Sequence, residues 1–541
     1  MASGREYLEY RPLRAPRESG ARMFVPPWEE VGSLVGANRR TRAAACCDIQ
    51  GKCLGRLAAA ARTELVRAAR HWTGQYRDLD AWAEQSPERV LLAGHQPQMF
   101  HPGVWLKNYA LSRLAEEHHA LGVNLVVDSD ILWSAVLRVP GGSPAEPRVA
   151  NIPFDAPGLA VPFEERGILQ PEVFASFADR VAEQLADLVK DPLVGSYWRL
   201  VRRRAADGHR LGACLAQARH AIEGAWGWRT LEVPQSAVCD TSAYRWFLCH
   251  LLDELPRFQR DYNEVVRQYR AIHRIRSAAH PVPDLAEQDG WLEAPFWVWQ
   301  AGDPRRQRLF ARRVGNAVLL TDRRGLEIAL PLAPGGDPLR AVDALDDWAA
   351  KGVRIRSRAL ITTLWARLAL GDLFVHGIGG AKYDQVADAL IWRFFRVAPP
   401  GFFIVSGTLH LPVHRPADRG QVSRRIRQEL RRLEFQPERY LDQVHPAVPA
   451  DARRLAEEKR AWVFREVAGE SRRQRFLAIR GLNRELRRWV APRAACLRRE
   501  LDIAEQSARA SAILTSRDYG FCLYPAATLH DFFTGLLPKR V

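Results

Sequence analysis

The chain has 541 residues, 47% of them hydrophobic, with 17 tryptophans; this excludes a disordered protein and exceeds a single ordinary core, so two or three domains are expected. No uninterrupted apolar run of about 18 residues occurs, which argues against a spanning helix, and the first residues, MASGREYLEYRPLRAPRESG, carry no hydrophobic signal core, so a cytoplasmic protein without a membrane is expected. The formal net charge is +17, yet only seven of the 79 basic residues are lysine, and no zinc-finger, RNA-recognition or basic-zipper pattern accompanies them; a small-molecule substrate is expected in preference to nucleic acid.

Taken in order, residues 1–89 read as an N-terminal helical layer, with PPWEEVGSLVGANRR followed by LGRLAAAARTELVRAARHW. The eight cysteines are scattered, as suits reduced thiols. Cys46, Cys47 and Cys53 cluster without the paired spacing and fourth ligand of a zinc site, so no metal is expected.

Residues 90–160 form the first half of an expected core. The apolar run Val90, Leu91, Leu92, Ala93 breaks at Gly94, and a polar loop, His95 to Gly103, precedes an amphipathic helix over 104–119. A second apolar run closes on Asp128-Ser129-Asp130. Strand, loop, helix, strand is a βαβ unit with parallel strands. Ligands of such units sit beyond the carboxyl ends of the strands, where His95, Gln96, His101, Asp128 and Asp130 fall.

Residues 161–340 read as a largely helical insertion with a small antiparallel β region. Its Pro-braced loop offers His280 and Asp284 as substrate contacts, with Glu293 beyond them. Residues 341–414 form the second half of the core. Here Asp372 to His376 reads as a strand, 377–382 (GIGGAK) as a tight loop and 383–395 as a helix. Glycines let backbone N–H groups approach a ligand, and a helix N-terminus favours an anion. Gly377, Gly379, Gly380, Lys382 and Tyr383 are therefore candidates for holding phosphate or carboxylate, with His376 at the strand end. The spacing is neither Walker A nor G-x-G-x-x-G. Residues 415–515 are charged and helical, read as two long helices forming an antiparallel coiled coil that offers a route to a homodimer. Residues 516–541 are a C-terminal segment.

GHQPQMFHPGVWLKNYAL resembles the T-G-Q-Q-x-G-x-x-x-G-P-x-Y-x-x-Y-K stretch of the bacillithiol biosynthesis cysteine-adding enzymes, whose next strand also ends in an acidic cluster. His95 stands where that family has Gln. Arg358 onward, through GIGGAKYDQVADAL, resembles the family's R-P-x-x-Q-x-x-L-x-P-x-x-A-x-x-x-G-P-G-E-x-x-Y-x-x-x-L, with Gly-Gly-Ala-Lys in place of Pro-Gly-Glu. The resemblance implies an α/β protein with a Rossmann-like parallel-sheet core, a helical insertion and a C-terminal antiparallel coiled coil. It also implies a carbon-nitrogen ligase-like activity, joining cysteine or a similar amine to a small sugar-containing carboxylate. Amide formation needs an activated carboxyl, so a nucleotide, ATP or ADP, is the implied cofactor.

In that reading residues 377–382 hold the anion, while His95, Gln96 and His101 orient the reacting group or stabilise a developing oxyanion. Asp128 or Asp130 binds a hydroxyl or serves as base, and Arg358, His376, His280 and Asp284 contact substrate. Two alternatives remain open at this point: a nucleotidylyltransferase-like enzyme, and a non-catalytic basic nucleic-acid-binding or scaffold protein.

Overall fold

Alternation decides how the central strands are buried. In the strand Val90–His95, Val90 and Leu92 enter one hydrophobic core while Leu91 and Ala93 enter another on the opposite face. Successive strand side chains point to opposite faces, so a wholly apolar strand needs cover on both. The computed structural model describes residues 7–9, 12–79, 88–414, 417–466 and 471–536. The other positions of the expected N-terminal layer, helical arm and C-terminal segment lie outside the described residues.

The strands of the two larger sheets are β1 (Arg22–Val25), β2 (Val90–His95), β3 (Leu121–Val126), β4 (Leu231–Pro234), β5 (Trp291–Gln300), β6 (Asp303–Val314), β7 (Ala317–Thr321), β8 (Glu327–Pro331), β9 (Val353–Ser357), β10 (Leu373–His376) and β11 (Phe403–Gly407). The first sheet runs β1-β11-β10-β2-β3-β4 and is mixed. Its strands are parallel except β1, which pairs antiparallel with β11. From β2 the chain steps outward to β3 and β4, then returns to the other side of β2 for β10 and β11. The order therefore reverses between β2 and β10, where Leu91 pairs with Leu373 and Ala93 with Val375. Residues 90–130 and 372–405 thus share one sheet. Asp372 helps to join them, its Oδ2 accepting the Val90 N–H at 2.8 Å.

Helices cover both faces: α1 (Val31–Ala43), α2 (Leu54–Gly74), α3 (Pro102–Glu117), α4 (Leu211–Ala225), α5 (Leu255–Ile272), α6 (Ala359–Trp365) and α7 (Ile378–Leu390) are those the argument needs. Helix α2 buries Leu57, Ala61 and Leu65 on one face, and α3 buries Trp105, Leu106 and Leu111 on the other.

Three boundaries differ from expectation. The N-terminal layer contains β1, a strand of the main sheet. The stretch 161–340 contains β4, which pairs with β3 at Leu125↔Val233; the core is interrupted on both sides of this strand. The stretch LEVP is legible as a short strand, but four residues carry no signal of which sheet they join. Finally β9, within 341–414, pairs with β5 in the antiparallel sheet β8-β7-β6-β5-β9.

The arm consists of α8 (Gly420–Phe435), α9 (Ala450–Phe464), α10 (Ser471–Trp489) and α11 (Ala491–Leu514) around its own core, including Ile426, Leu433, Leu486 and Leu497. Four helices stand where two were expected; prolines at 437 and 449 separate α8 from α9, and Pro492 opens α11. Among the described residues no helix is long and apolar enough to cross a membrane.

Candidate functional site

A cavity of about 860 Å³ opens at the carboxyl ends of β2, β3, β10 and β11, at the reversal of strand order. One wall starts from β2. Pro102 occupies the first turn of α3, where its missing N–H costs nothing, and His101 precedes it. The His95 Nδ1 lies 3.0 Å from the Gln96 carbonyl. A carbonyl only accepts, so Nδ1 carries the proton and Nε2 keeps a lone pair. Burial, then the Lys107 charge, pulls the His95 imidazole down to about 3. Burial and Arg517 pull His101 down to about 4. Both rings are neutral at neutral pH. The Gln96 Nε2 donates to Asp130 Oδ2 at 3.0 Å, and Asp130 Oδ1 accepts from the Ile131 N–H and from Arg306 Nη1 at 3.2 Å.

The inserted antiparallel sheet supplies the facing wall. The guanidiniums of Arg306 and Arg358 each lie 4.2 Å from the Trp297 ring centre, close enough for cation–π attraction. Arg358 also donates to Glu293 Oε1 at 2.6 Å, while its buried Nε and Nη1 have no partner among the described residues.

On the β10 side, 377–382 is not a free loop. Gly377 is the N-cap and α7 begins at Ile378, so Gly379, Gly380 and Lys382 lie in its first turns. Gly380 is dictated by its neighbour, because a β-carbon there would sit 2.7 Å from His376 Nδ1. His376 itself is held by Asp384, at 2.9 Å from Nε2. Burial alone would raise the Asp384 carboxyl, but Arg367 and His376 hold it well below the usual range. Burial lowers His376 in spite of that carboxylate. No side chain caps α7, so its first N–H groups are open to an anion. Lys382 is exposed, and its carbonyl accepts from the Tyr269 hydroxyl. Burial pushes the Tyr383 hydroxyl, which also lines the cavity, up to about 12.

The cavity therefore brings together His95, Gln96, His101, Asp130, Arg358, His376, Gly377, Gly379, Gly380, Lys382 and Tyr383. Three candidates fall elsewhere. Asp128 accepts the Ser236 N–H at 3.0 Å and the Ser236 hydroxyl, away from this cavity. Burial and Glu164 push its carboxyl up to about 7. His280 is exposed, and Asp284 pairs with Arg270 at 3.0 Å. Only their neighbours Val282 and Pro283 reach the cavity, because the loop turns both polar side chains outward.

Sequence reasoning missed Arg14, Lys107, Arg306 and Arg517, all of which line the cavity. Lys107 alone had a local signal, as a lysine inside the otherwise apolar WLKNYAL in a chain with seven lysines. Its Nζ donates to the Gly94 carbonyl at 2.8 Å. Burial and the nearby Arg219 pull it down to about 8. Six cations thus line the cavity against one carboxylate, Asp130. Arg306 is paired with Asp130 and Arg358 with Glu293, which leaves Arg14, Lys107, Lys382 and Arg517 without an ion pair among the described residues.

A separate buried group, His220, Glu223 and Glu232, brings potential metal ligands within 4.8 Å of one another. Arg219 donates to both carboxylates, and Tyr76 and Arg77 occupy the two ring nitrogens of His220 at 2.7 Å each. The guanidiniums of Arg219 and Arg77 offset the charge of the two carboxylates, while Glu223 Oε2 and Glu232 Oε2 are buried without a hydrogen-bond partner among the described residues. No model of a known protein family matches the chain, and no curated protein matches it.

Proposed function

We propose that the cavity is the active site of an enzyme acting on a small anionic molecule, and that its reaction is the amide-forming, ligase-like chemistry implied by the resemblance to the cysteine-adding enzymes. The observation that carries this reading is the charge: four lining cations without an ion pair among the described residues, gathered where parallel strands end and their order reverses. In a Rossmann-like, doubly wound sheet that crevice is where ligands bind. The order from β4 through β3, β2 and β10 to β11, numbered along the chain as 3-2-1-4-5, supports such a core.

In this proposal the start of α7 and Lys382 hold the phosphate of a nucleotide, ATP or ADP, or the carboxylate of the acceptor. In this reading the neutral His95 and His101 rings orient the reacting group. Asp130, oriented by Gln96 and Arg306, offers an acceptor for a sugar hydroxyl. The antiparallel pairing of α8 with α11, with ion pairs Arg427–Glu505 and Arg493–Glu429, supports a coiled-coil arm. That arm is the proposed route to a homodimer of a cytoplasmic enzyme.

Calorimetric titration of wild type and Lys382→Ala with ATP, ADP and malate-like acids tests the reading. Binding should weaken by about 1.5–3 kcal/mol in the variant, the scale of a charged hydrogen bond. Equal affinities in both proteins, or binding to neither, would overturn it.

A further inference from the structure

Lys107 is the lining lysine that the fold buries. It is 4% exposed, on a helix whose neighbouring Trp105, Leu106, Ala110 and Leu111 are all in the core. An ammonium has three donors, and this one makes a single hydrogen bond among the described residues, to the Gly94 carbonyl. A carbonyl dipole is not a counter-charge. Another buried lysine shows the contrast: Lys459, 3% exposed in the arm, pairs with Glu438 and also donates to the Phe435 carbonyl. Burying a charge without a partner is costly, so an unpaired ammonium kept in a cavity wall calls for a charge supplied from outside.

The position of Lys107 says where that charge goes. Its side chain passes Gly377, where an added β-carbon would lie 3.8 Å from the Lys107 Cδ. Gly377 is the uncapped N-cap of α7. A buried cation and a set of open backbone N–H groups thus converge on one part of the cavity from two different elements, α3 and α7. Either alone would be weak evidence. Together they describe an anion seat with both a formal charge and directional donors.

We propose that Lys107 is the counter-charge for the anionic end of the ligand, a phosphate or carboxylate group seated between its Nζ and the first N–H groups of α7. This rests on the reading of the cavity as an anion site and adds the place within it that the anion takes. Lys382, exposed on the same turn, meets the anion from the solvent side.

The scarcity of lysine makes a direct test practical. Wild-type protein is acetylated with a limiting amount of acetic anhydride near pH 8, with and without pyrophosphate or malate, and each lysine is read by peptide mass spectrometry. At a probe concentration ten times its Kd, Lys107 labelling should fall about tenfold, with Lys459 unchanged. The probe that protects at lower concentration distinguishes phosphate from carboxylate. Protection of Lys382 without Lys107 would overturn this placement and leave the anion cavity standing. Protection of no lysine by either probe would overturn both readings.

Lys107→Met supplies a second measurement. Removing an unpaired buried charge should leave Tm equal to wild type or higher, while the Tm rise that either probe gives wild type disappears. A Tm several degrees lower, with the probe response intact, would make Lys107 a structural tether of Gly94 and overturn the proposal.

Discussion

A β-carbon on Gly103 would sit 2.0 Å from the carbonyl oxygen of Gly407. The start of α3 is therefore seated against the end of β11, two elements some 300 residues apart in sequence that together close one side of the cavity. A backbone oxygen cannot swing aside as a flexible side chain can. Gly103→Ala should cost about 2–3 kcal/mol through overpacking, read as a lower Tm. Gly379→Ala is the control, because nothing lies within 4 Å of its added β-carbon. In the first turn of α7 it should be neutral or stabilise by up to about 1 kcal/mol.

Asp372 is the second test of how the two halves of the sheet are joined. It is buried, accepts the Val90 N–H and pairs with Arg42 and Arg62. Asp372→Ala should destabilise by about 3 kcal/mol, since it leaves a half-buried cation pair and a strand N–H unsatisfied. Burial alone would raise this carboxyl, but Arg62 and Arg42 hold it below its usual value. Its contribution is therefore present above the unfolded pKa and lost as pH falls through the lower folded value. Urea midpoints of wild type and variant, converging toward pH 3, check this.

Acid should destabilise the protein through two half-buried imidazoles. His95 and His101 are bases whose folded values, about 3 and about 4, lie below the ordinary 6.5. Between those values and 6.5 the unfolded chain binds protons that the native state refuses, so stability rises with pH through that window and is lost on going down. Urea midpoints at pH 7, 6 and 5 should fall in wild type and fall less in a His95→Gln, His101→Gln double variant.

Lys107 predicts an effect at the other end of the scale. Its folded value of about 8 is below the ordinary 10.5. Across that interval the unfolded chain again holds the extra proton, so its cost to stability is greatest below pH 8 and fades toward 10.5. The groups that face it electrostatically are His95 on β2, His101 before α3, His376 on β10 and Arg219 on α4. The three imidazoles are neutral in this range and Arg219 stays charged, so none cancels the trend. The stability advantage of Lys107→Met should shrink between pH 8 and pH 10 in denaturant titrations.

The βαβ unit was legible because Val90 to Ala93 is apolar without a break and a second apolar run follows the amphipathic helix, although Gly122, expected to end that helix, lies inside β3. The glycines and Lys382 after an apolar strand were legible locally as a candidate anion seat, but 377–382 was expected as a loop and instead caps and opens α7. The acidic pair was legible only by half. Asp128 and Asp130 stand two apart, which in a continuing strand places both on one face. The chain instead leaves β3 at Val126 and folds tightly, the Asp128 N–H donating to the Val126 carbonyl, so one carboxylate turns to Ser236 and the other into the cavity.

Element type follows from short-range apolar periodicity and from glycine and proline, which is why the sequence alone determined the parallel strands, the helices between them and the charged C-terminal run. Ion pairing has no such period. Arg14, Arg306 and Arg517 reach the cavity from distant parts of the chain, and Lys107 differs from Lys459 only in lacking a carboxylate that the folded chain brings near the other. Which charges are neutralised is set by distances in space between residues far apart in sequence, and only the tertiary structure decided that four cations without an ion pair among the described residues would line one cavity.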